Sequence, residues 1–338
     1  MTDQVRIGIL GAARIAPGAI IKPAKKIPQA AITAIAARSQ QRAQAFARTH
    51  HIPRVFASYA ELIADPDLDA VYIPLPNGLH CDWTIKALEA GKHVLCEKPF
   101  AANAAEAERM AEAAERSGKV VMEAFHYRYH PLAERMQEIV TSGQLGKIQH
   151  IETWMCFPLP LFNDIRYRYD LAGGALMDAG CYAVNMLRFL AGDEPEVERA
   201  QARLASPQVD RRMSADLRFA DGRTGRVTCS MWSTTILRIA ARVQGELGEM
   251  RVFNPFMPAY YHRLKVRTSA GTRVEHVPGE ATYFYQLRAF TSSILQGAPV
   301  RTTPADALAN MRVIDAIYEK AGLWLRGCKE ALAPTAHR

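Results

Sequence analysis

Hydrophobic and polar positions divide the chain into two regions with different periodicities. Between Val5 and about Phe125, short apolar runs alternate with amphipathic segments of helical spacing. The apolar runs are Ile7–Leu10, Ile32–Ala36, Ala70–Ile73, His93–Cys96 and Val120–Met122, and the clearest helical segments are Gln40–His50, His80–Ala90 and Ala104–Ser117. Such alternation is typical of an α/β domain built on a doubly wound parallel sheet. We predict this domain over residues 1–125.

After about Pro131, period-two patterns dominate. The runs are Ile148–Met155, Met213–Phe219, Arg226–Trp232, Leu237–Val243, Glu249–Phe253, Leu264–Thr268 and Arg273–Val277, with a hairpin signal at Asp221-Gly222. Helical spacing recurs at residues 174–191, 282–296 and 304–324. We predict an α+β domain over residues 126–338 with a large, mainly antiparallel, open-faced sheet. We expect helix 304–324 to pack back toward the first domain.

Composition narrows the class of protein. The 338 residues carry a formal net charge of +8, but their basic residues form no block, which disfavours nucleic-acid binding. No apolar stretch is long enough to cross a membrane, and the N-terminus lacks an export signal. The six cysteines have no metal-ligand spacing and are Cys81, Cys96, Cys156, Cys181, Cys229 and Cys328. We therefore expect a cytoplasmic protein without a metal site.

The first apolar run leads into a glycine turn, Gly11-Ala12-Ala13-Arg14-Ile15-Ala16. This turn aligns with G-x-G-x-x-G/A, in which Gly11 makes the tight turn and Ala16 permits close packing of helix on strand. Ala13 replaces the glycine that normally admits the pyrophosphate. Alone, such a turn is as often structural as functional. Its position between a strand and a helix predicts a Rossmann cofactor site that includes Ala13, Arg14 and Ile15.

The end of the second apolar run concerns the choice of cofactor. It reads Ile35-Ala36-Ala37-Arg38-Ser39, without the carboxylate that usually holds an NAD ribose hydroxyl. Arg38 and Ser39 could instead bind a 2′-phosphate, and Arg42 adds charge one helical turn later. The alternative is a solvated arginine at the start of a helix. We predict NADP rather than NAD, with NAD as the alternative cofactor.

Lys98 follows the short buried run Val94–Cys96 and precedes Pro99, which stops a strand. A lysine at the carboxyl end of a parallel strand lies where open α/β sheets bind ligands, although most lysines are merely solvated. A neighbouring segment, Pro74–His80, ends another strand and begins a helix. We expect Asn77 in this segment to cap the helix or to contact the cofactor.

The helix after Gly173-Gly174 places Asp178, Tyr182 and Asn185 on a shared face. A carboxylate and a phenol one turn apart suit chemistry on a polar ligand. The alternative is that Asp178 caps a neighbouring backbone and that Tyr182 is an ordinary interfacial aromatic residue. His126 and His130 follow the last parallel strand, but histidines in such loops are usually structural and no third metal ligand accompanies them.

These motifs together resemble the glucose–fructose oxidoreductase/inositol dehydrogenase (Gfo/Idh/MocA) family over nearly the whole chain. The motifs are the glycine turn, Pro76-Asn77 with His80, Glu97-Lys98-Pro99, Gly173-Gly174 with Asp178, and Thr303–Ala307. The resemblance implies that Lys98 lies beside the nicotinamide and that the acid/base residue is Tyr182. A tyrosine there resembles the branch of glucose–fructose oxidoreductase, aldose (xylose) 1-dehydrogenases and dimeric dihydrodiol dehydrogenase, which generally favours NADP. The resemblance also suggests Pro76, Asn77, His80 and Glu97 as cofactor contacts.

The resulting hypothesis is hydride transfer between NADP and a sugar or other cyclic polyol. Tyr182 would handle the substrate proton, Lys98 would favour its charged form, and Asp178 would orient substrate or Tyr182. We expect Arg128 and Arg166 to contact substrate hydroxyls, and the second sheet to pair in a homodimer or homotetramer. The rival hypotheses are a catalytically idle NADP-binding redox regulator and, less favoured by Arg38 and Tyr182, an NAD-dependent glycosidase.

Overall fold

The first sheet of the computed structural model, which describes residues 4–327, has six parallel strands. They are β1 (Val5–Leu10), β2 (Ala30–Ala36), β3 (Arg54–Phe56), β4 (Ala70–Ile73), β5 (His93–Cys96) and β6 (Val121–Glu123). Their order is β3-β2-β1-β4-β5-β6. The predicted doubly wound sheet is therefore confirmed. Because the strand order reverses beside β1, its carboxyl edge opens into a ligand crevice there.

The helices begin and end largely at the residues that their caps predict. They are α1 (Lys22–Ala24), α2 (Gln40–His50), α3 (Tyr59–Ala64), α4 (His80–Glu89), α5 (Ala104–Ser117), α6 (Pro131–Thr141), α7 (Cys181–Ala191), α8 (Thr282–Gln296) and α9 (Pro304–Lys320). At α5, the Asn103 side chain accepts a hydrogen bond from the Glu106 amide, and Gly118 ends the helix at φ +62°. A side-chain acceptor at the start and a left-handed glycine at the end are the usual helix boundaries.

The segment after β1 is too short to cover its face of the sheet. It forms one π turn, Pro17–Ile21, followed by the three residues of α1. Helix α8 supplies the missing cover, because Leu287 and Phe290 are buried in one cluster with Ile7 and Ile9 of β1. Helix α9 packs on α5 of the same domain. The predicted boundary at residue 126 thus separates the two sheets but not the helices that cover them.

The second sheet has eight strands in the order β14-β13-β12-β11-β7-β10-β9-β8. They are β7 (Ile148–Cys156), β8 (Glu196–Ser206), β9 (Val209–Arg218), β10 (Thr224–Ser230), β11 (Arg238–Gly245), β12 (Gly248–Phe253), β13 (Arg263–Thr268) and β14 (Gly271–Glu275). All neighbours are antiparallel except β10 and β7. Helix α7 packs against β7 and β10. The predicted mainly antiparallel sheet is confirmed, and so is the hairpin at Asp221-Gly222.

Two elements of the second region differ from the sequence prediction. Helix α6 was not predicted, because Pro131 indicated the end of a region. In the fold, Pro131 is instead the first residue of α6, where a helix needs no N–H donor and the missing N–H of proline costs nothing. Strand β8 was not predicted either, because its charged residues mask the alternation of a sheet-edge strand. In addition, helix 174–191 begins as a π turn at Leu176–Gly180, and α9 ends at Lys320 rather than at residue 324.

A buried ion pair fixes the entrance to α7. Asp210 accepts hydrogen bonds from Arg326 Nη2 at 3.1 Å, Tyr318 Oη at 3.0 Å and the Leu176 amide at 2.7 Å. Both charged side chains are fully buried. Gly174 lies against this pair at φ +137°, and a Cβ there would lie 2.2 Å from Asp210 Oδ1. The second glycine of Gly173-Gly174 is therefore required by close packing as well as by its backbone conformation.

Removing one partner of this pair should destabilise the fold strongly. Arg326→Met leaves the Asp210 carboxylate buried without its cation, and such changes cost about 3–5 kcal/mol. Arg218→Met is the matched control, because Arg218 and its partner Glu198 are both about half exposed. That exposed pair should contribute at most about 1 kcal/mol. Urea unfolding of the two variants measures the difference, and equal losses of stability would contradict the assignment.

Candidate active site

The crevice between the two sheets is crossed by the side chain of Lys98. This residue is the second after the end of β5, and its Nζ donates to the backbone oxygen of Asp178 at 2.9 Å. The Asp178 carboxylate is 3.7 Å from the same Nζ. Burial alone would lower the pKa of Lys98, but Asp178, together with Cys181 and Glu97, reverses that effect and raises it. Lys98 is therefore a fixed positive charge at the sheet edge.

Two side chains hold the strand end that carries Lys98. Glu97 accepts a hydrogen bond from Tyr72 Oη at 2.6 Å. His80 is fully buried, with its Nδ1 2.8 Å from the Pro99 carbonyl oxygen and its Nε2 2.8 Å from that of Leu75. The expectation that His80 contacts the cofactor is therefore wrong, because both of its ring nitrogens already face protein carbonyls. It clamps the segment after β4 to the segment after β5.

Arg166 approaches Lys98 from the second domain. Its Nε donates to Asp178 Oδ1 at 3.1 Å, and its Nη1 donates to Asp164 Oδ1 at 3.2 Å. Asp178 thus lies between two cations, while the Arg166 side chain remains 44% exposed. An arginine with spare donors beside a shielded carboxylate is suited to binding the hydroxyl groups of a polar ligand.

Tyr182 lies one turn after Asp178 and closes the back of the crevice. Its side chain is almost fully buried, and its ring contacts those of Phe125, Tyr127 and Phe256. Lys98 Nζ lies over the Tyr182 ring, 4.8 Å from its centroid. The structure therefore brings together Lys98, Asp178 and Tyr182, as the spacing of the motifs predicts.

The electrostatics of Tyr182 differ from the prediction. Burial, reinforced by the nearby Tyr283 and Glu97, raises the pKa of Tyr182 well above its ordinary value. In this arrangement burial outweighs the expected stabilisation of the charged form by Lys98. The ammonium faces the ring and gives a hydrogen bond to the Asp178 carbonyl rather than to the phenol oxygen. Tyr182 is therefore a neutral phenol that can donate a proton.

The other end of the crevice has the donors that a dinucleotide needs. Gly11 adopts φ +111°, and among the described residues the four amides of residues 12–15 donate to no protein acceptor. The Arg38 guanidinium is exposed and forms no ion pair within residues 4–327, and Arg42 Nη2 lies 3.5 Å from the Ala12 carbonyl oxygen. Free amides and unpaired guanidinium groups fit a pyrophosphate and a 2′-phosphate. The Ser39 hydroxyl caps α2.

Comparison with known proteins identifies the family. Residues 5–125 match the model described as "Oxidoreductase family, NAD-binding Rossmann fold". Residues 133–251 match the model described as "GFO/IDH/MocA C-terminal domain". The chain belongs to the Gfo/Idh/MocA family. The resemblance inferred from the motifs is thus confirmed, and so is the two-domain fold that it implies.

Several members of the Gfo/Idh/MocA family are similar over most of the chain. D-xylose 1-dehydrogenase (NADP(+)) 2 of Haloferax volcanii is 39% identical over 93% of this chain and 96% of its own. The trans-1,2-dihydrobenzene-1,2-diol dehydrogenase of Mus musculus is 34% identical over 67% of this chain and 68% of its own. A 3-ketoreductase of Actinomadura kijaniata, solved with NADP and TDP-benzene, superimposes with a TM-score of 0.87 at 29% identity, covering 94% and 98% of the two chains.

Two residues proposed for ligand contact have protein partners in this Gfo/Idh/MocA member. Arg128 Nη1 lies 3.3 Å from Asp306 Oδ2 and 3.4 Å from Asn185 Oδ1, and its guanidinium stacks on Phe189. The Arg128 guanidinium is thus engaged by protein groups, which corrects its expected role in substrate binding. Asn77 Nδ2 donates to the carbonyl oxygen of Ala172 at 3.0 Å, so it joins the two domains beside the crevice. Pro76, directly before it, lies half-buried at the start of the turn Asn77–Leu79.

Sequence reasoning missed two aromatic residues of the site. His126 Nε2 lies 3.0 Å from Tyr182 Oη, and the ring of Tyr283 lies 4.1 Å from that of His126. A signal for His126 was present, because it lies three residues after β6, whose carboxyl end is at the same sheet edge. No comparable signal marks Tyr283, which α8 contributes from the far end of the chain.

Among residues 4–327, no helix has the length and apolar character needed to span a membrane. Over the same residues, no group of three or more histidine, cysteine or carboxylate side chains is arranged to hold a metal ion.

Proposed function

We propose that this protein is an NADP-dependent oxidoreductase that transfers a hydride between the nicotinamide and a CH–OH group of a sugar or cyclic polyol. Its activity would resemble that of an aldose 1-dehydrogenase or a dihydrodiol dehydrogenase. The observation that carries the proposal is the convergence of Lys98 and Tyr182 on one crevice beside the Gly11 turn. The xylose and dihydrodiol dehydrogenases named above support the substrate class.

In the proposed mechanism, different residues of the crevice transfer the proton and supply the positive charge. NADP, when bound, supplies or accepts the hydride. Tyr182 donates its Oη proton to the substrate oxygen during reduction and accepts it during oxidation. Lys98 places a positive charge beside the ring, where it offsets the negative charge of the phenolate. Asp178 orients Lys98, and Arg166 contacts substrate hydroxyl groups.

We infer NADP rather than NAD from the residues that follow β2. No carboxylate follows this strand to hold a ribose hydroxyl, and Arg38 is available for a 2′-phosphate. The NADP in the name of the xylose dehydrogenase and in the ketoreductase complex supports this choice. NAD remains the alternative cofactor, and the Arg38→Ala variant distinguishes between the two.

Arg38→Ala should weaken NADP binding by about 10- to 100-fold, because it removes a charge-assisted contact to the 2′-phosphate. NAD lacks that phosphate, so its affinity should stay within about 2-fold, well below the effect of losing such a contact. Isothermal titration of both cofactors measures the change. Arg48→Ala is the matched control, because Arg48 is an exposed arginine near the other end of the same helix. Equal weakening of both cofactors would contradict the assignment.

Tyr182→Phe should lower kcat by about 10²- to 10⁴-fold, because it removes the proton donor. NADP affinity should not change. In the parent enzyme the raised pKa keeps Tyr182 protonated at neutral pH, so the reductive rate should be flat there and fall only in alkaline solution. The oxidative rate should rise with pH. Absorbance of the reduced nicotinamide across aldoses, inositols and dihydrodiols measures both directions.

The control for this variant is Tyr285→Phe, since Tyr285 accepts a hydrogen bond from the Glu280 amide outside the crevice. Undiminished turnover in Tyr182→Phe would remove the mechanism. NADP binding without turnover of any substrate in the parent enzyme would support a redox regulator. Release of free sugar with tightly bound NAD would support a glycosidase.

We also propose a homodimer or homotetramer that acts in the cytoplasm. Strands β8, β12 and β14 expose Leu204, Phe253 and Val274, which a second copy could cover. The five cysteines within the described residues are buried free thiols, which suits a reducing compartment. The functional division into a cofactor domain over residues 1–125 and a substrate domain over residues 126–338 belongs to the same proposal.

A further inference from the structure

His126 is the hydrogen-bond partner of the Tyr182 hydroxyl. It begins the 3₁₀ turn His126–Tyr129 after β6 and is 2% exposed. Its Nε2 lies 3.0 Å from Tyr182 Oη, and its ring packs on Tyr283. Lys98 Nζ, by contrast, gives its hydrogen bond to the Asp178 carbonyl. The residue that forms a hydrogen bond with the phenol oxygen is therefore His126 and not Lys98.

The second ring nitrogen of His126 decides which way that hydrogen bond runs. Nδ1 is buried and has no partner among the described residues. A buried N–H without an acceptor costs about 1–3 kcal/mol, whereas an unpaired acceptor is better tolerated. The neutral ring should therefore carry its hydrogen on Nε2 and donate it to Tyr182 Oη. A doubly protonated ring would bury an unpaired N–H and a charge together, and burial accordingly lowers the pKa of His126 to about 3.

We propose that His126 is a positioning residue that aims the Tyr182 proton into the crevice and stabilises the phenolate that remains after proton transfer. An oxygen that accepts from His126 Nε2 must direct its own hydrogen away from the imidazole, and Lys98 lies over the face of the same phenol ring. After the proton has left, the same N–H becomes a charge-assisted hydrogen bond. The inference rests on the proposed function, whose acid is Tyr182.

The proton and electron balance of the step is simple. In reduction, the substrate carbonyl carbon receives the hydride, and with it two electrons, from the reduced nicotinamide. The carbonyl oxygen receives the proton from Tyr182 Oη and becomes a hydroxyl group. Tyr182 is left as a phenolate that solvent later reprotonates, and His126 stays neutral throughout. Oxidation reverses each transfer.

Several other titratable groups face this pair from the surrounding elements. Lys98 and Glu97 approach from the end of β5, Asp178 from the π turn before α7, Cys181 from the start of α7, Tyr127 from the 3₁₀ turn, and Tyr283 from α8. Of these, Tyr283 and Glu97 act with burial to raise the pKa of Tyr182. The hydrogen bond to the phenol oxygen comes from His126 itself, whose Nε2 lies 3.0 Å from Tyr182 Oη.

Replacing His126 by two residues of opposite hydrogen-bonding capacity tests the inference. His126→Phe keeps a flat ring but has no donor, so single-turnover hydride transfer should slow by about 10- to 100-fold, the value of a hydrogen bond to a charged group. The alkaline pKa of the rate profile should rise by about one to two units by the same energy. His126→Gln keeps an N–H near the position of Nε2 and should recover most of the rate. KM for the substrate should change little.

The control is His150→Phe, because His150 lies on β7 and pairs with Thr224 outside the crevice. NADP titration and thermal melting show whether each variant is folded. Two results would overturn the inference: an unshifted pH profile in His126→Phe, or equal impairment of the Phe and Gln variants. If the parent enzyme itself turned over none of the substrates, that result would instead contradict the proposed function.

A spectroscopic measurement tests the tautomer without any variant or substrate. Nitrogen-15 NMR of the full-length protein distinguishes imidazole rings protonated at Nε2 from those protonated at Nδ1, and His126→Gln assigns the signal. We expect His126 to be neutral, protonated at Nε2 and unchanged across neutral pH. A ring protonated at Nδ1, or one that titrates near neutrality, would overturn the inference even if the enzyme proves to be a dehydrogenase.

Discussion

The contact between Lys98 and Asp178 is the constraint on which the rest of the site depends. It joins the end of a parallel strand to the start of the helix on the second sheet, so it fixes the two domains across the crevice. A buried lysine is costly unless it is paired, and Asp178 with Glu97 meets that cost. The buried ion pair of Asp210 and Arg326 likewise fixes the backbone at the start of the helix, through the Leu176 amide. Together they hold Tyr182 at a set distance from the sheet edge.

In this geometry two different residues act on Tyr182, whereas the sequence motifs pointed to Lys98 alone. Lys98 supplies positive charge over the face of the Tyr182 ring, while His126 contacts the oxygen that moves the proton. Because its pKa is raised, Tyr182 stays protonated at neutral pH and is available as the proposed proton donor for carbonyl reduction. The raised pKa also makes the phenolate costly, and in the proposed mechanism Lys98 and His126 reduce that cost. We therefore expect Tyr182 to be protonated at neutral pH and the oxidative rate to rise in alkaline solution.

The sequence was sufficient wherever the signal is local. Breakers and caps located five of the six strands of the first sheet, all but β3, and the place of Lys98 at a strand end predicted its position at the crevice. Features that depend on distant contacts escaped it: α8 covers β1 from the other end of the chain, and Arg128 turns to Asp306 rather than to the site. The pKa of Tyr182 escaped it too, since burial and ring orientation are properties of the folded chain.

The most direct test of the account is the rate of hydride transfer in Lys98→Met, measured in a single turnover with saturating NADP and followed by absorbance of the reduced nicotinamide. The account predicts a fall of about 10²- to 10³-fold, typical of a lost preorganised charge, with cofactor binding largely retained. Lys86→Met, which alters an exposed lysine stacked on Trp83, should match the parent enzyme. An undiminished rate in Lys98→Met would show that the chemistry takes place elsewhere and would contradict the account.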